Sequence, residues 1–165
     1  MEIDIPSLII LTVVLSFFFV PIIYFECFKK RATKKITTYF NQVAQNNNLV
    51  LSQFEVWRDQ YGIGIDTGAK KIMYLNQANG QNNTVILDLS EINKCRISKE
   101  DEQIKTPDGV RNITSWVALR IEFLSLKKTG ILLEFYKGKN GDSVRDEFKL
   151  AEKWSKIINS KLTNR

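Results

Sequence analysis

Catalysis at neutral pH most often draws on histidine, and this 165-residue chain contains none. Cys27 and Cys95 stand far apart, too few for a zinc site between them and without the spacing of a disulfide framework. A reducing compartment suits that cysteine usage. Gly62, Gly64 and Gly68 lack the spacing of a phosphate-cradling loop and sit in an alternating, strand-like stretch, "YGIGIDTG". The acids Glu100, Asp101 and Glu102 fall in a polar segment, Lys99 to Asn112, that reads as a solvated loop around the turn signal Pro107-Asp108-Gly109. Trp57, Trp116 and Trp154 read as packing residues. These residue types predict no enzyme, no metal and no cofactor.

The basic residues are the other chemistry-bearing group. Lys29, Lys30, Arg31, Lys34 and Lys35 place five cations within seven residues, and Lys70 and Lys71 form a second, smaller pair. The formal net charge is +6, but from Ile36 onward 19 basic residues face 15 acidic ones. So mild an excess does not describe a nucleic-acid surface. The first cluster follows "LIILTVVLSFFFVPIIYF", Leu8 to Phe25, 18 residues without a charge. A helix of that length would reach roughly 27 Å, close to the thickness of a bilayer core. Acids precede the run and cations follow it, the reverse of a cleaved secretory signal. The positive-inside rule then puts the N-terminus outside and the rest in the cytoplasm. The expectation is therefore a single-pass anchor in the cell membrane. The five cations serve as its topology signal and as a contact for anionic lipid.

The elements that must carry these residues can be read by period. Ile36, Tyr39, Phe40, Val43 and Ala44 make one apolar face of a short helix that ends at Asn46-Asn47-Asn48. Its spacing fits packing either on a membrane surface or on the domain. From Gln53 the period becomes two. "YGIGID", "KKIMYLN", "TVILDL", "KCRIS", "SWVALRIEFLSL" and "ILLEFYKG" read as antiparallel strands. Val144, Phe148, Ala151, Trp154, Ile158 and Leu162 then step by three and four along a closing amphipathic helix.

"GIGIDTGAKKIMYL", "ILDLSEINKCRI" and "FKLAEKWSKIINSKL" resemble the first hairpin, the strand–turn–strand and the closing helix of bacterial membrane-anchored pleckstrin-homology-like proteins. The resemblance runs from about Gln53 to Leu162. It implies an α+β, mainly β fold: an N-terminal transmembrane helix, then a six- to seven-stranded antiparallel barrel or sheet closed by the C-terminal helix. Three segments follow from these readings: 1–28 the anchor, 29–48 the basic juxtamembrane segment and linker helix, 49–165 the cytosolic domain. The expected function is a non-catalytic, membrane-tethered module that binds a protein partner or assembles with itself. The bilayer would be met through residues 8–25, and neither nucleic acid nor a small-molecule substrate is expected. The alternative is a module sensing lipid headgroups through Lys70, Lys71 and the basic linker.

Overall fold

A computed structural model describes residues 33–77, 82–106, 109–138, 144 and 146–163. Helix α1 covers 33–46. Strands β1 (Gln53–Trp57), β2 (Tyr61–Asp66), β3 (Lys71–Asn76) and β4 (Asn83–Asp88) form one antiparallel sheet in chain order. A single 3₁₀ turn, Leu89–Glu91, leads into β5 (Ile92–Thr106), β6 (Gly109–Phe123) and β7 (Ile131–Lys137), a second antiparallel sheet. Helix α2, Glu147–Thr163, ends the fold.

Two expectations are corrected here. The strands form two small sheets of four and three, neither of them closed, and not one pleckstrin-homology-like barrel. The reason lies where a barrel would join strand to strand. The β7 carbonyls of Glu134 and Phe135 accept from Tyr74 Oη and Trp57 Nε1 (2.8 Å for the latter), so side chains bridge the sheets there in place of backbone. Secondly, no helix among the described residues is long and apolar enough to cross a membrane, which corrects a fold drawn with a transmembrane helix. The run from Leu8 to Phe25 lies outside the described residues.

The four-stranded sheet is buried on both faces. Tyr61, Ile63, Ile65, Ile72 and Tyr74 point to the main core, which they share with Val117, Leu119, Leu133, Phe135 and, from α2, Ala151, Trp154 and Ile158. The alternate positions Val56, Met73, Leu75 and Ile86 pack with Ile36, Phe40 and Ala44 of α1 in a second core. An unbroken apolar stretch such as "IMYL" follows from that double burial, since neither face of β3 meets water. The helix that the sequence left between membrane and domain therefore belongs to the domain.

Glycine makes that seat possible. On β2, Gly62 and Gly64 are paired with Leu75 and Met73, on the α1 side of the sheet. A Cβ on Gly62 would stand 2.7 Å from the Phe40 ring, inside its van der Waals surface. A Cβ on Gly64 would press on Leu51 and Phe54 at 3.1 Å. Phe40 is fully buried, and its ring stacks on Phe54 at 5.8 Å between centroids.

At the far end of α1 the chain turns at Asn48, in the left-handed region at φ 56°. It is then pinned by Asp66, a buried carboxylate. Asp66 Oδ2 accepts from Val50 N (2.7 Å) and Oδ1 from Ala69 N (2.8 Å). These hydrogen bonds, Ala69 first and Val50 second, hold the carboxyl below the usual aspartate range. A carboxyl whose pKa is lowered on folding adds stability at every pH above its unfolded value, and that stability is lost as pH falls through the folded one. Acid titration monitored by far-ultraviolet circular dichroism should therefore show destabilisation beginning below about pH 4. Asp66→Asn should flatten this acid limb and lower stability at neutral pH. An unchanged limb would separate Asp66 from the acid transition.

Candidate functional site

Two ends of the molecule can be traced through its contacts. At one end, Thr33 Oγ1 at the start of α1 donates to Asp59 Oδ1 in the β1–β2 turn (2.8 Å). Arg58 in the same turn pairs with Glu147 at the start of α2, and its guanidinium lies 4.7 Å from the centroid of the Tyr136 ring. Arg58 and Asp59 both hold left-handed backbone, φ 50° and 51°, a conformation that costs side-chain-bearing residues energy and is fixed here by partners from both helices. At the other end lie Asp66, the β2–β3 turn and the 3₁₀ turn, joined by Leu89 N donating to Lys70 O (2.8 Å).

The basic candidates are divided between those ends. Lys34 and Lys35 are exposed on the first turns of α1, and Lys29, Lys30 and Arg31 lie outside the described residues. Lys70 and Lys71 stand at the β2–β3 turn, at the opposite end of the four-stranded sheet. Lys70 has φ 53°, and Lys71 is half-buried. The two groups do not converge on one headgroup. Lys34, Lys35, Thr38, Tyr39 and Gln42 instead share a shallow, open depression along α1.

The segment expected as a loop, Lys99 to Asn112, is a hairpin arm. β5 and β6 pair continuously out to Thr106↔Gly109, whereas β7 accompanies β6 only from Trp116 onward. Seven residues of β6 thus project beyond the three-stranded part, roughly 23 Å at strand rise. Its root is irregular, with a register shift between Glu100 and Asp101 and another on the β7 side between Val117 and Ala118. Gly138 N donates to Ser115 O (2.8 Å) where β7 leaves. The arm therefore leaves from the end at which α1 begins, beside Tyr136 and Arg58.

Glu100, Asp101 and Glu102 are exposed on this arm. Asp101 accepts from Lys99 Nζ and from Thr114 Oγ1, each at 2.8 Å, and these bonds hold its carboxyl below the usual range. It serves as a cross-strand clamp. Arg111 and Asn112 are exposed, and Val110 is 62% exposed near the tip. Pattern reading missed the arm because its described outer positions, Glu100 to Gln103 and Gly109 to Asn112, are exposed, and no buried face imposed an apolar alternation on them. The turn signal Pro107-Asp108-Gly109 was its one trace in the sequence.

The remaining polar groups are structural. Glu134 accepts from Tyr61 Oη (2.8 Å) and Trp116 Nε1 (3.3 Å), tying the two sheets together. Burial, and then the Glu134 carboxylate, push the Tyr61 hydroxyl well above the ordinary tyrosine range. Burial is likewise the main cause of the upward shift at Tyr74. Trp154 Nε1 donates to Glu55 Oε2 (2.7 Å), whose other oxygen pairs with Lys153. Among the described residues no three acids, cysteines or histidines gather as metal ligands. No family model, curated protein or solved structure matches the chain.

Cys95 is a buried free thiol with its backbone gripped by α2: Asn159 Nδ2 donates to Cys95 O and Cys95 N donates to Asn159 Oδ1. Burial pushes the thiol up to about 12. The thiolate is the reactive species, so Cys95 should resist alkylation in the native protein at about pH 8 and react fully once denatured. Mass spectrometry after iodoacetamide treatment, in a Cys27→Ser background, measures this directly. Rapid native labelling would show that α2 does not seal β5.

Proposed function

We propose that this chain is a non-catalytic cytosolic binding module, tethered at the inner face of the cell membrane by its uncharged N-terminal run and basic flank. It engages a protein partner, or a second copy of itself, through the β5–β6 arm. The arm carries this reading. A two-stranded ribbon is marginal in water on its own, and bulges at its root increase twist and re-aim the strands. Such a ribbon presents main-chain edges to which an extended segment can add, with side chains of both faces available for selection. The chain devotes two 15-residue strands to a hairpin whose outer half lies beyond the three-stranded part of its sheet. Tethering draws support from the order of the sequence: acids, 18 uncharged residues, then five cations.

The alternative reading, headgroup sensing through Lys70, Lys71 and the linker as one site, is weakened by geometry, because Lys70 and Lys71 lie at the other end of the sheet from Lys34 and Lys35.

A photo-crosslinking amino acid at Val110 or Asn112, in the full chain in native membranes, should give one discrete protein adduct on irradiation. The same probe at Lys156, on the outer face of α2, should give none. Adducts of equal yield at all three positions, or none at any, would remove the arm from partner binding.

A further inference from the structure

The arm bears acids, but α1 is different. From Cys27 to Phe54 the sequence contains no aspartate or glutamate, and all five cations of the basic cluster fall in that stretch. In the described part, 33–46, the inward side of α1 is committed: Ile36, Phe40 and Ala44 are buried on the four-stranded sheet. The outward strip is Lys34, Lys35, Thr38 and Gln42, all exposed, with half-buried Tyr39 beside them, and together they form a shallow, open surface. Among the described residues, Asp59 is an acid hydrogen-bonded by α1, its Oδ1 accepting from Thr33 Oγ1 at the helix start. The strip thus presents two ammonium groups followed by hydroxyl and amide groups, with no acid of its own helix to neutralise them.

Its position is bounded as well. Seven residues, and so eight residue steps, separate Phe25, the end of the uncharged run, from Thr33. Whatever path they take, they reach at most about 29 Å. A chain held at the bilayer through the run keeps the first turn of α1 within that distance of the surface. Polybasic segments so placed are attracted to anionic lipid, and the attraction fades within a Debye length.

We infer that the outward face of α1 is a docking face for anionic phospholipid headgroups, with Lys34 and Lys35 as the contacts to phosphate or carboxylate and with Tyr39 and Gln42 flanking them. Because Phe40 locks α1 to Gly62, this contact orients the whole domain. The α1-covered face of the four-stranded sheet turns toward the membrane, and α2, on the opposite side of that sheet, turns away. Along 99–115 the arm sets Lys99, Lys105 and Arg111 against Glu100, Asp101, Glu102 and Asp108, so it lacks the cationic excess of α1 and is left to a protein. The inference rests on the tethering proposed above and adds to it a lipid class and an orientation.

The test uses the full chain in lipid nanodiscs, with a fluorophore on Gln45→Cys, exposed on the same helix about three turns beyond Lys34 and Lys35, in a Cys27→Ser background. The quencher is phosphatidylcholine carrying a nitroxide on its headgroup. Quenching should be strong in discs containing phosphatidylserine and weak in pure phosphatidylcholine. A fluorophore on Lys156→Cys should be quenched in neither. Lys34→Glu with Lys35→Glu should return the Gln45 probe to its phosphatidylcholine level, a fall of about tenfold in the lipid-contacting fraction. Lys70→Glu with Lys71→Glu should leave quenching intact. Continued protection of Cys95 from alkylation reports that each variant is folded. Equal quenching at both probes, indifference to phosphatidylserine, or loss only on reversing Lys70 and Lys71 would overturn the inference. Failure of the chain to enter the discs would overturn the tether and this inference together, whereas entry without quenching overturns this inference alone.

Discussion

The packing of Phe40 on Gly62 governs much of the structure. It converts a short amphipathic helix from a linker into the outer layer of a domain. With α1 in place, the four-stranded sheet has an apolar neighbour on each side, which is why Met73 and Leu75 can be as buried as Ile72 and Tyr74 on the same strand. Remove that contact and the sheet would expose the row of Val56, Met73, Leu75 and Ile86 to water. At about 25 cal/mol per Å² of apolar surface, such a row is a large share of a domain's modest net stability. The Asp66 clamp and the Thr33–Asp59 hydrogen bond fasten the two ends of the same helix, so its direction across the sheet is fixed as well as its seat.

Fixing α1 also divides the labour of the surface. The end where α1 begins holds the strained Arg58-Asp59 turn, the start of α2 and the root of the β5–β6 arm. The tether proposed above would enter at α1 and deliver its constraint to the end from which the arm projects. The two charged neighbourhoods there differ in balance: an acid-free cationic helix strip on one element and a ribbon of mixed, nearly cancelling charge on the other. That difference is the physical basis for assigning lipid to the first and protein to the second.

Much of the secondary structure was legible in the sequence, and the reasons are local. β2 alternates strictly, β3 is a short apolar run bounded by turn signals, and the helix positions Ala151, Trp154 and Ile158 all proved buried because a single stripe faced a single core. The pairing of the strands was not legible. Barrel and two-sheet arrangements have the same strand pattern, and the difference rests on side-chain bridges such as Trp57 to the Phe135 carbonyl, 78 residues apart. The arm was read as a loop because composition there reports solvent on both faces, which a loop and a free ribbon share. Of the basic candidates, the sequence could name Lys34, Lys35, Lys70 and Lys71 but not separate them, because their positions depend on where α1 lies. One signal for that was present. Gly62 and Gly64, two apart on a strand flanked by apolar residues, mark a face that something approaches closely.

The central claim is that α1 is an integral layer of the domain, held by the Phe40–Gly62 contact. A double-mutant cycle by chemical denaturation tests it. Gly62→Ala alone should destabilise the protein by about 1–3 kcal/mol, because the new methyl group meets the ring. In a Phe40→Leu background the smaller side chain makes room, and the same substitution should cost near zero, a coupling of about 1–3 kcal/mol. Strictly additive effects of the two substitutions would contradict the account and detach α1 from the sheet.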